Sequence, residues 1–208
     1  AGLDALRDLR VHSNQLAVLP PDIGKLPSLR MLDVSANPLT NAVQAVAGLR
    51  RLEALHIANL GLSVFPVEVT ELQSLKSLHV GGNGLKDLPP ELAKLKALEV
   101  LGLDGNGFTS IPRVVTQMRS LKTLSMKFNR VTALPPEIAG LSAIESIDLF
   151  ANQLSALPAE IGALQDLKVL SLSINQLTSL PREIGQLKVL QELRAGSNKL
   201  TALPAEIG

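Results

Sequence analysis

Aliphatic residues recur along this chain with a period of 23 residues. The first copy has Leu6, Leu9 and Val11 as its leading apolar positions, followed by Asn14. The same spacing returns at each step through the copy that begins at Leu190, giving nine copies with no insertion or deletion. Self-similarity at a fixed period of this length predicts a solenoid in which each copy is one structural unit.

The two-residue spacing of Leu9 and Val11 is typical of a short β-strand, and it places both side chains on one face. We expect the strands of successive copies to pair in parallel, forming a sheet along the concave side of the array. One copy cannot bury its leucine face alone, so neighbouring copies must stabilise one another.

An asparagine occupies the same position in eight of the nine copies. A side-chain amide both donates and accepts hydrogen bonds, so a buried asparagine satisfies backbone groups that a turn would leave unpaired. We expect a ladder in which each rung stabilises the fold by roughly 1 kcal/mol. The ladder residues are Asn14, Asn37, Asn83, Asn106, Asn129, Asn152, Asn175 and Asn198.

The second half of each copy repeats as well. A proline such as Pro135 is followed two residues later by an acid, Glu137, and then by an aliphatic residue, Ile138. Proline fixes φ and has no N–H group to satisfy, which suits a return path outside the sheet. Over the entire chain the combined pattern resembles the leucine-rich-repeat family, of the L-x-x-L-x-L-x-x-N-x-L-x-x-L-P-x-E-I-G-x-L type. It is similar to the repeats of scribble- and erbin-like scaffolds, plant intracellular Ras-group proteins and many bacterial repeat proteins.

The resemblance implies an α/β leucine-rich-repeat solenoid shaped as a curved horseshoe. Parallel strands would line the concave side, and irregular, 3-10 or short helical segments would form the convex side. We expect residues 1–208 to form a single domain of about nine repeats. Terminal repeats of a solenoid are usually atypical and polar outside. Neither end shows such a cap, so we expect a segment of a longer protein.

The pattern is irregular over residues 38–62. Leu60 occupies the ladder position of the third copy, and Asn59 lies one residue earlier. Upstream, Asn41 and the residues after it are typical of a helical turn with an N-cap. Ordinary drift in a long array explains both departures, and a local change of curvature is the alternative.

Composition and charge limit the possible functions. The chain has no cysteine, which excludes disulfides, thiolate catalysis and zinc–sulfur sites. This favours a reducing compartment, so we expect a cytoplasmic protein, with a secreted bacterial effector or a surface protein as alternatives. The formal net charge of +1, with no basic stripe, disfavours nucleic acid as a partner. No apolar run is long enough to span a membrane, and no cofactor motif is present.

The non-repeating positions on the concave side form three columns. The strand column is Arg10, Asp33, His56, His79, Gly102, Ser125, Asp148, Ser171 and Arg194. The loop column is His12, Ser35, Ala58, Gly81, Asp104, Lys127, Phe150, Ser173 and Gly196. The turn column, just before the ladder position, is Ser13, Ala36, Asn59, Gly82, Gly105, Phe128, Ala151, Ile174 and Ser197.

Two of the four phenylalanines fall together in these columns. Phe128 and Phe150 lie in adjacent repeats, with Ile174 nearby. Aromatic anchors flanked by charge are typical of interface hot spots, and chance exposure is the alternative. The predicted partner-binding residues are His56, His79, Asp104, Lys127, Phe128, Asp148, Phe150 and Ile174.

The histidines and glycines of the columns allow further interpretations. Asp33, His56 and His79 form a row that could bind a divalent metal. Side chains in such a row diverge, so surface histidines in a polar groove are the better interpretation, and we predict no metal site. The glycines clustered between Gly81 and Gly107 have no side chains, so a partner could approach the backbone of the concave surface closely there. The alternative is that they serve only as turn residues.

These observations predict a protein-recognition module that binds a protein or peptide on its concave face, with a scaffold or signalling role. No catalytic constellation is evident, so we expect no enzymatic activity in this chain. The alternative is a substrate-recognition segment of a larger enzyme, such as a kinase, a Roco-type GTPase or a bacterial ubiquitin-ligase effector. The sequence leaves the oligomeric state open.

Overall fold

Nine short strands lie side by side in one sheet, in the order of the sequence. The computed structural model describes residues 2–208, apart from the side chain of Val43. Every neighbouring pair of strands is parallel, and each strand residue pairs with the equivalent residue of the next repeat, as Leu78 does with Leu101. The strands are Asp8–Arg10 (β1), Met31–Asp33 (β2), Ala54–His56 (β3), Ser77–His79 (β4), Val100–Gly102 (β5), Thr123–Ser125 (β6), Ser146–Asp148 (β7), Val169–Ser171 (β8) and Glu192–Arg194 (β9). The predicted leucine-rich-repeat solenoid is confirmed.

The return path of most repeats contains a 3-10 helix that begins at or near the repeated proline. These helices are Pro21–Lys25, Val67–Glu71, Pro90–Lys94, Val115–Gln117, Pro136–Gly140, Ala159–Ala163, Arg182–Gln186 and Ala205–Ile207. The second repeat has a one-turn α-helix instead, Ala42–Val46 (α1). Within residues 2–208, no helix is both long and apolar enough to cross a membrane.

The core is a single layer of aliphatic side chains between the sheet and the 3-10 helices. The central residue of an inner strand points into it, and Leu55, Leu78 and Leu101 are fully buried. From the 3-10 side, Leu92 and Ile138 close the same layer and are also fully buried. Each repeat therefore buries its leucines mainly against the next repeat, as the repeat pattern requires.

Each inner ladder asparagine links two repeats through its side-chain amide. Asn129 Nδ2 donates to the carbonyls of Leu103 (3.0 Å), Met126 (3.1 Å) and Lys127 (3.2 Å). Its Oδ1 accepts a hydrogen bond from the N–H of Phe108 at 3.1 Å. Leu103 and Phe108 belong to the preceding repeat, so one buried amide satisfies backbone groups on both sides of the junction.

The ladder is interrupted at Leu60, whose apolar side chain supplies neither a donor nor an acceptor. Asn83 in the next repeat offsets part of this gap, because its Oδ1 accepts from the N–H groups of both Leu60 and Leu62 at 3.0 Å. In the other rungs that oxygen accepts only the bond equivalent to the one from Leu62, as at Asn106. The irregularity is thus accommodated without a break in the sheet.

The helical turn expected near Asn41 is present as α1, but the expected cap is wrong. The Asn41 side chain makes no capping bond to its own helix. It bonds the preceding repeat instead, accepting from Leu19 N–H at 2.8 Å and donating to the Leu19 carbonyl at 2.9 Å. In this position one amide satisfies both the N–H and the carbonyl of Leu19, which would otherwise lack these partners.

A column of alternating charge precedes the strands, and the sequence interpretation missed it. Ion pairs join Lys76 to Glu53 at 2.8 Å, Lys122 to Glu99 at 3.1 Å, and Lys168 to Glu145 at 2.6 Å. These side chains are 40–57% exposed, so solvent screens each pair and its contribution to stability is small. Because the sign of the charge alternates from one repeat to the next, each of these side chains lies opposite a residue of the other sign when neighbouring repeats pair as observed.

Replacing Asn129 with alanine tests the ladder. The change leaves a buried N–H and buried carbonyls without a partner, so we expect a loss of about 2–4 kcal/mol in the free energy of unfolding. The control is Asn14→Ala in the exposed first rung, where the amide bonds only Val11 and His12 of its own repeat. Urea denaturation measures both variants, and similar losses would contradict the proposed role of the buried rungs.

Candidate functional site

The concave surface is built from the strand, loop and turn columns, and its backbone is the same in every repeat. All nine residues of the turn column have a left-handed backbone, with φ between +53° and +63°. This conformation suits glycine and is tolerated by asparagine, but only Gly82 and Gly105 are glycines. The next residue, normally the ladder asparagine, is drawn into the core, so the turn-column residue is held outward.

Two large apolar residues occupy this unfavourable backbone position. Phe128 has φ +55° and Ile174 has φ +58°. A bulky or β-branched residue in this region costs on the order of 1–2 kcal/mol. The two residues are 60% and 48% exposed, so burial recovers little of that cost. Folding alone does not account for them.

Phe128 and Phe150 form an aromatic pair across two repeats. Their ring centroids are 5.4 Å apart and the planes meet at 77°, an edge-to-face arrangement. Phe150 is half-buried, and its N–H donates to Asp148 Oδ1 at 3.0 Å. Ile174 lies in the turn column two repeats beyond Phe128, with the small Ala151 between them. The structure therefore brings Phe128 and Phe150 together, and Ile174 lies in the repeat that follows Phe150.

Asp104 and Lys127 pair with each other beside this aromatic pair. The Asp104 carboxylate accepts hydrogen bonds from the Ser125 hydroxyl and, at 2.8 Å, from the Lys127 N–H. Lys127 Nζ lies 3.4 Å from Asp104 Oδ2. The sequence interpretation treated the two residues as independent flanking charges. In the structure each largely offsets the other's charge.

His56 and His79, in the third and fourth repeats, form a second cluster, and Phe128 and Phe150 belong to the sixth and seventh repeats. Their ring centroids are 4.4 Å apart, edge to face, and His56 Nδ1 lies 3.6 Å from Asp33 Oδ2. The His79 ring lies over Gly102, where any Cβ would overlap it. Within residues 2–208, no group of three or more His, Cys, Asp or Glu side chains is arranged to hold a metal ion.

Both ends of this cluster have shifted pKa values. Burial, followed by the charge of His56, lowers the pKa of His79 below the ordinary histidine value. Burial alone would raise the pKa of Asp33. The hydrogen bonds from the backbone and side chain of Ser35, with the charges of His56 and His12, outweigh burial and lower that pKa. Near neutral pH the row therefore carries a negative carboxylate at the Asp33 end and a largely neutral His79 at the other.

A shallow depression of about 290 Å³ lies between the two clusters. Its floor is the bare backbone of the glycines in repeats four and five, and Phe128 forms one wall. The sequence interpretation expected a low floor here, but not that Asn59 and Asp104 would border it. The lining residues are Ala58, Asn59, His79, Gly81, Gly82, Gly102, Asp104, Gly105 and Phe128.

The family model described as leucine rich repeat matches residues 73–131, 96–154 and 142–200. Together these matches cover residues 73–200, well over half of the chain. The chain belongs to the leucine-rich-repeat family. No curated protein matches it.

Solved structures of other proteins share the fold. A leucine-rich-repeat protein of Leptospira interrogans is 36% identical, with a TM-score of 0.79, over 99% of this chain and 58% of that one. The ectodomain of the membrane receptor kinase GASSHO1/SCHENGEN3 from Arabidopsis thaliana, solved with CASPARIAN STRIP INTEGRITY FACTOR 2, is 28% identical (TM-score 0.77; 99% and 26% covered). The plant peptide hormone receptor RGFR1, solved with RGF2, is 23% identical (TM-score 0.67; 100% and 42% covered). The chain therefore spans between a quarter and three fifths of each of these proteins.

Replacing Ile174 with glycine tests the backbone strain. Relief of the left-handed conformation should offset much of the burial that the change removes, so we expect the free energy of unfolding to stay within about 1 kcal/mol of wild type. The control is Val189→Gly, because Val189 is similarly exposed (43%) and lacks a positive φ. Urea denaturation that shows a smaller loss for Val189→Gly than for Ile174→Gly would contradict the strain.

The lowered pKa of His79 predicts a pH dependence of stability. Below about pH 6.5 the unfolded chain protonates this residue while the folded protein resists protonation, so folding loses free energy as the pH falls. The loss begins at the unfolded pKa and levels off below the folded one. As the pH falls through this window, we expect wild type to lose free energy of unfolding relative to His79→Asn, which lacks the titrating group. A difference that stays constant from pH 7.5 to pH 5 would refute the assignment.

Proposed function

We propose that this chain is a recognition module that binds a protein or peptide along the concave face of its sheet. The observation that carries the proposal is the placement of Phe128 and Ile174. Both are large, apolar and exposed, and both occupy backbone positions that disfavour them. The turn takes a left-handed backbone in every repeat, but nothing in the fold requires a large apolar side chain there, and strained backbone positions cluster at functional sites in proteins.

The solved relatives support the same function. GASSHO1/SCHENGEN3 and RGFR1 were each solved in complex with a second molecule, and RGFR1 is named a peptide hormone receptor. Leucine-rich repeats are typically binding modules, and we propose that this one has no catalytic activity of its own. A scaffold or signalling role, and a cytoplasmic location, stay predictions.

The binding surface that we propose has three parts. Phe128, Phe150 and Ile174 supply apolar contact area, with the edge-to-face phenylalanine pair as the central anchor. The paired Asp104 and Lys127 border that anchor. The remaining sites are polar positions that fix orientation. Asp148 lies beside the anchor, His79 lies at the far edge of the depression, and His56 packs against His79.

A second function is favoured by one comparison. The relative GASSHO1/SCHENGEN3 is a receptor kinase, and the present chain spans 26% of the solved ectodomain. The chain can thus be the recognition segment of a larger enzyme, in which the binding surface selects the substrate or signal. Both functions require the same concave surface, and the genomic sequence on either side of this segment distinguishes them.

The paired substitution of Phe128 and Phe150 by alanine tests the proposed surface. Peptides selected from a randomised library for binding to the whole chain serve as the probe, and calorimetry measures their affinity. Loss of an aromatic anchor costs about 2 kcal/mol or more at an interface, so we expect the affinity to fall by more than tenfold.

The matched control is Val64→Ala, because Val64 is 77% exposed but lies outside the three columns. This variant should bind the selected peptides as wild type does. If the double alanine variant also retains wild-type affinity, the surface is placed wrongly. If selection yields no binding peptide on any face, the chain is not a peptide-binding module.

A further inference from the structure

The N–H groups of the loop column point towards the concave surface, as their hydrogen-bond partners show. The N–H of Ser35 donates to Asp33 Oδ1 at 3.0 Å, and the N–H of Phe150 donates to Asp148 Oδ1 at 3.0 Å. In other repeats the acceptor comes from the preceding loop-column residue. The Asp104 carboxylate caps the N–H of Lys127 at 2.8 Å, and the Ser35 hydroxyl caps Ala58 at 3.1 Å. Every one of these acceptors is a side chain on the concave face.

Gly81 and Asp104 are adjacent loop-column residues whose N–H groups have no such cap. A cap comes from the strand-column residue two positions earlier or from the loop-column residue of the preceding repeat. For Gly81 these are His79 and Ala58, and for Asp104 they are Gly102 and Gly81. The His79 ring lies over Gly102 instead, and the other three have no side-chain acceptor. Among the described residues, neither N–H has a hydrogen-bond partner.

The two residues that carry these donors line the concave depression. Gly81 and Asp104 both line it, together with Gly82, Gly105 and Phe128. Neighbouring parallel strands are ~4.8 Å apart, so the two N–H groups are close enough to serve one ligand segment. His12, Ser173 and Gly196 also lack a cap, but they do not line this depression. Only at Gly81 and Asp104 do uncapped donors coincide with a recess and an aromatic wall.

The charges of the three columns favour a neutral acceptor over a carboxylate. These columns hold three acids, Asp33, Asp104 and Asp148, and three bases, Arg10, Lys127 and Arg194. Because Arg10 and Arg194 lie in the first and last repeats, the seven inner repeats hold the three acids and only one base. The Asp104 carboxylate is directed towards Ser125 and Lys127 in the next repeat, away from its own N–H. A ligand carboxylate would be repelled by this surface, whereas a carbonyl oxygen would not, and basic groups would be attracted.

We propose that the N–H groups of Gly81 and Asp104 donate hydrogen bonds to a main-chain carbonyl of a basic, extended peptide segment. The bare glycine floor lets the peptide backbone approach the donors. An apolar side chain of the same segment packs on Phe128 and Phe150, and a basic side chain lies near Asp148. This inference rests on the proposed peptide-binding function and specifies the orientation of the ligand within it.

Substitutions of His79 test the donors directly. His79→Asp places a carboxylate two residues before Gly81, as Asp33 stands before Ser35 and Asp148 before Phe150. The new carboxylate should cap the Gly81 N–H and abolish its bond to the ligand. Added negative charge alone would strengthen binding of a basic peptide, so weaker binding identifies the lost donor. His79→Ala is the matched control, because it removes the ring without adding an acceptor.

Substitutions in the turn column test access to the donors. Gly105→Ile fills the depression with a residue type that Ile174 shows to be compatible with this backbone position. The ideal Cβ at Gly105 lies 3.4 Å from its nearest neighbour, Gly82 N, so the side chain can be accommodated. Ser197→Ile makes the same type of change in the last repeat, outside the depression.

The probe is a peptide selected from a randomised library for binding to the whole chain, measured by calorimetry and by amide NMR of the isotope-labelled protein. We expect the Gly81 and Asp104 amide protons to shift downfield on binding. Affinity should fall about tenfold in His79→Asp relative to His79→Ala, and likewise in Gly105→Ile relative to Ser197→Ile.

Two results would overturn the inference. If the peptide binds and depends on Phe128 while the Gly81 and Asp104 amides do not shift, the carbonyl site is wrong and the proposed function stands. If His79→Asp binds as well as His79→Ala while both variants keep the wild-type fold, the Gly81 donor is likewise excluded. Failure to select any peptide that binds the concave face removes the inference and the proposed function together.

Discussion

The side-chain amide of the ladder asparagine is the interaction on which the rest of this structure depends. In an inner rung such as Asn129, one amide group bonds carbonyls of its own repeat and a carbonyl and an N–H of the preceding repeat. Burying that amide requires the chain to turn sharply out of the strand, and the preceding residue takes a left-handed backbone to make the turn. Phe128 immediately precedes Asn129. The same constraint that joins the repeats therefore determines where the most exposed aromatic side chain stands.

The concave surface combines two clusters and a recess that differ in physical character. The phenylalanine pair is apolar and only partly buried, and the adjacent Asp104 and Lys127 offset each other's charge. The histidine pair is polar, and the His79 ring lies over Gly102. The N–H groups of Gly81 and Asp104, two residues that line the recess, have no side-chain acceptor. Apolar contact area, main-chain donors and unbalanced acidic groups lie within a few strands of one another. An interface needs these components together, because apolar burial supplies affinity while directional hydrogen bonds supply specificity.

The repeat pattern was sufficient to predict the parallel sheet and the repetitive core, because both follow from one spacing repeated nine times. The 3-10 return path was one of three forms that the family resemblance implied. Features that depend on how neighbouring repeats meet were harder to predict. Asn41 has the composition of a helix cap, yet it bonds Leu19 one repeat away. Asp104 and Lys127 are consecutive in the loop column, but their pairing depends on which way each side chain turns. The small residues of the turn column were a visible signal of a left-handed backbone, and the alternating charges before the strands were equally visible; neither pattern had been interpreted.

The uniform backbone of the turn column has a consequence for how such an array can change over evolution. Glycine, alanine, serine, asparagine, phenylalanine and isoleucine all occupy this position with nearly the same φ. The frame that carries the side chain is held by buried bonds elsewhere, so exchanging the side chain leaves the frame in place. A gene that encodes such repeats can therefore acquire or discard a surface contact by single-codon substitutions, at a cost of little more than local strain. Descendants of one ancestral array can differ entirely in what they recognise while their coordinates remain superimposable.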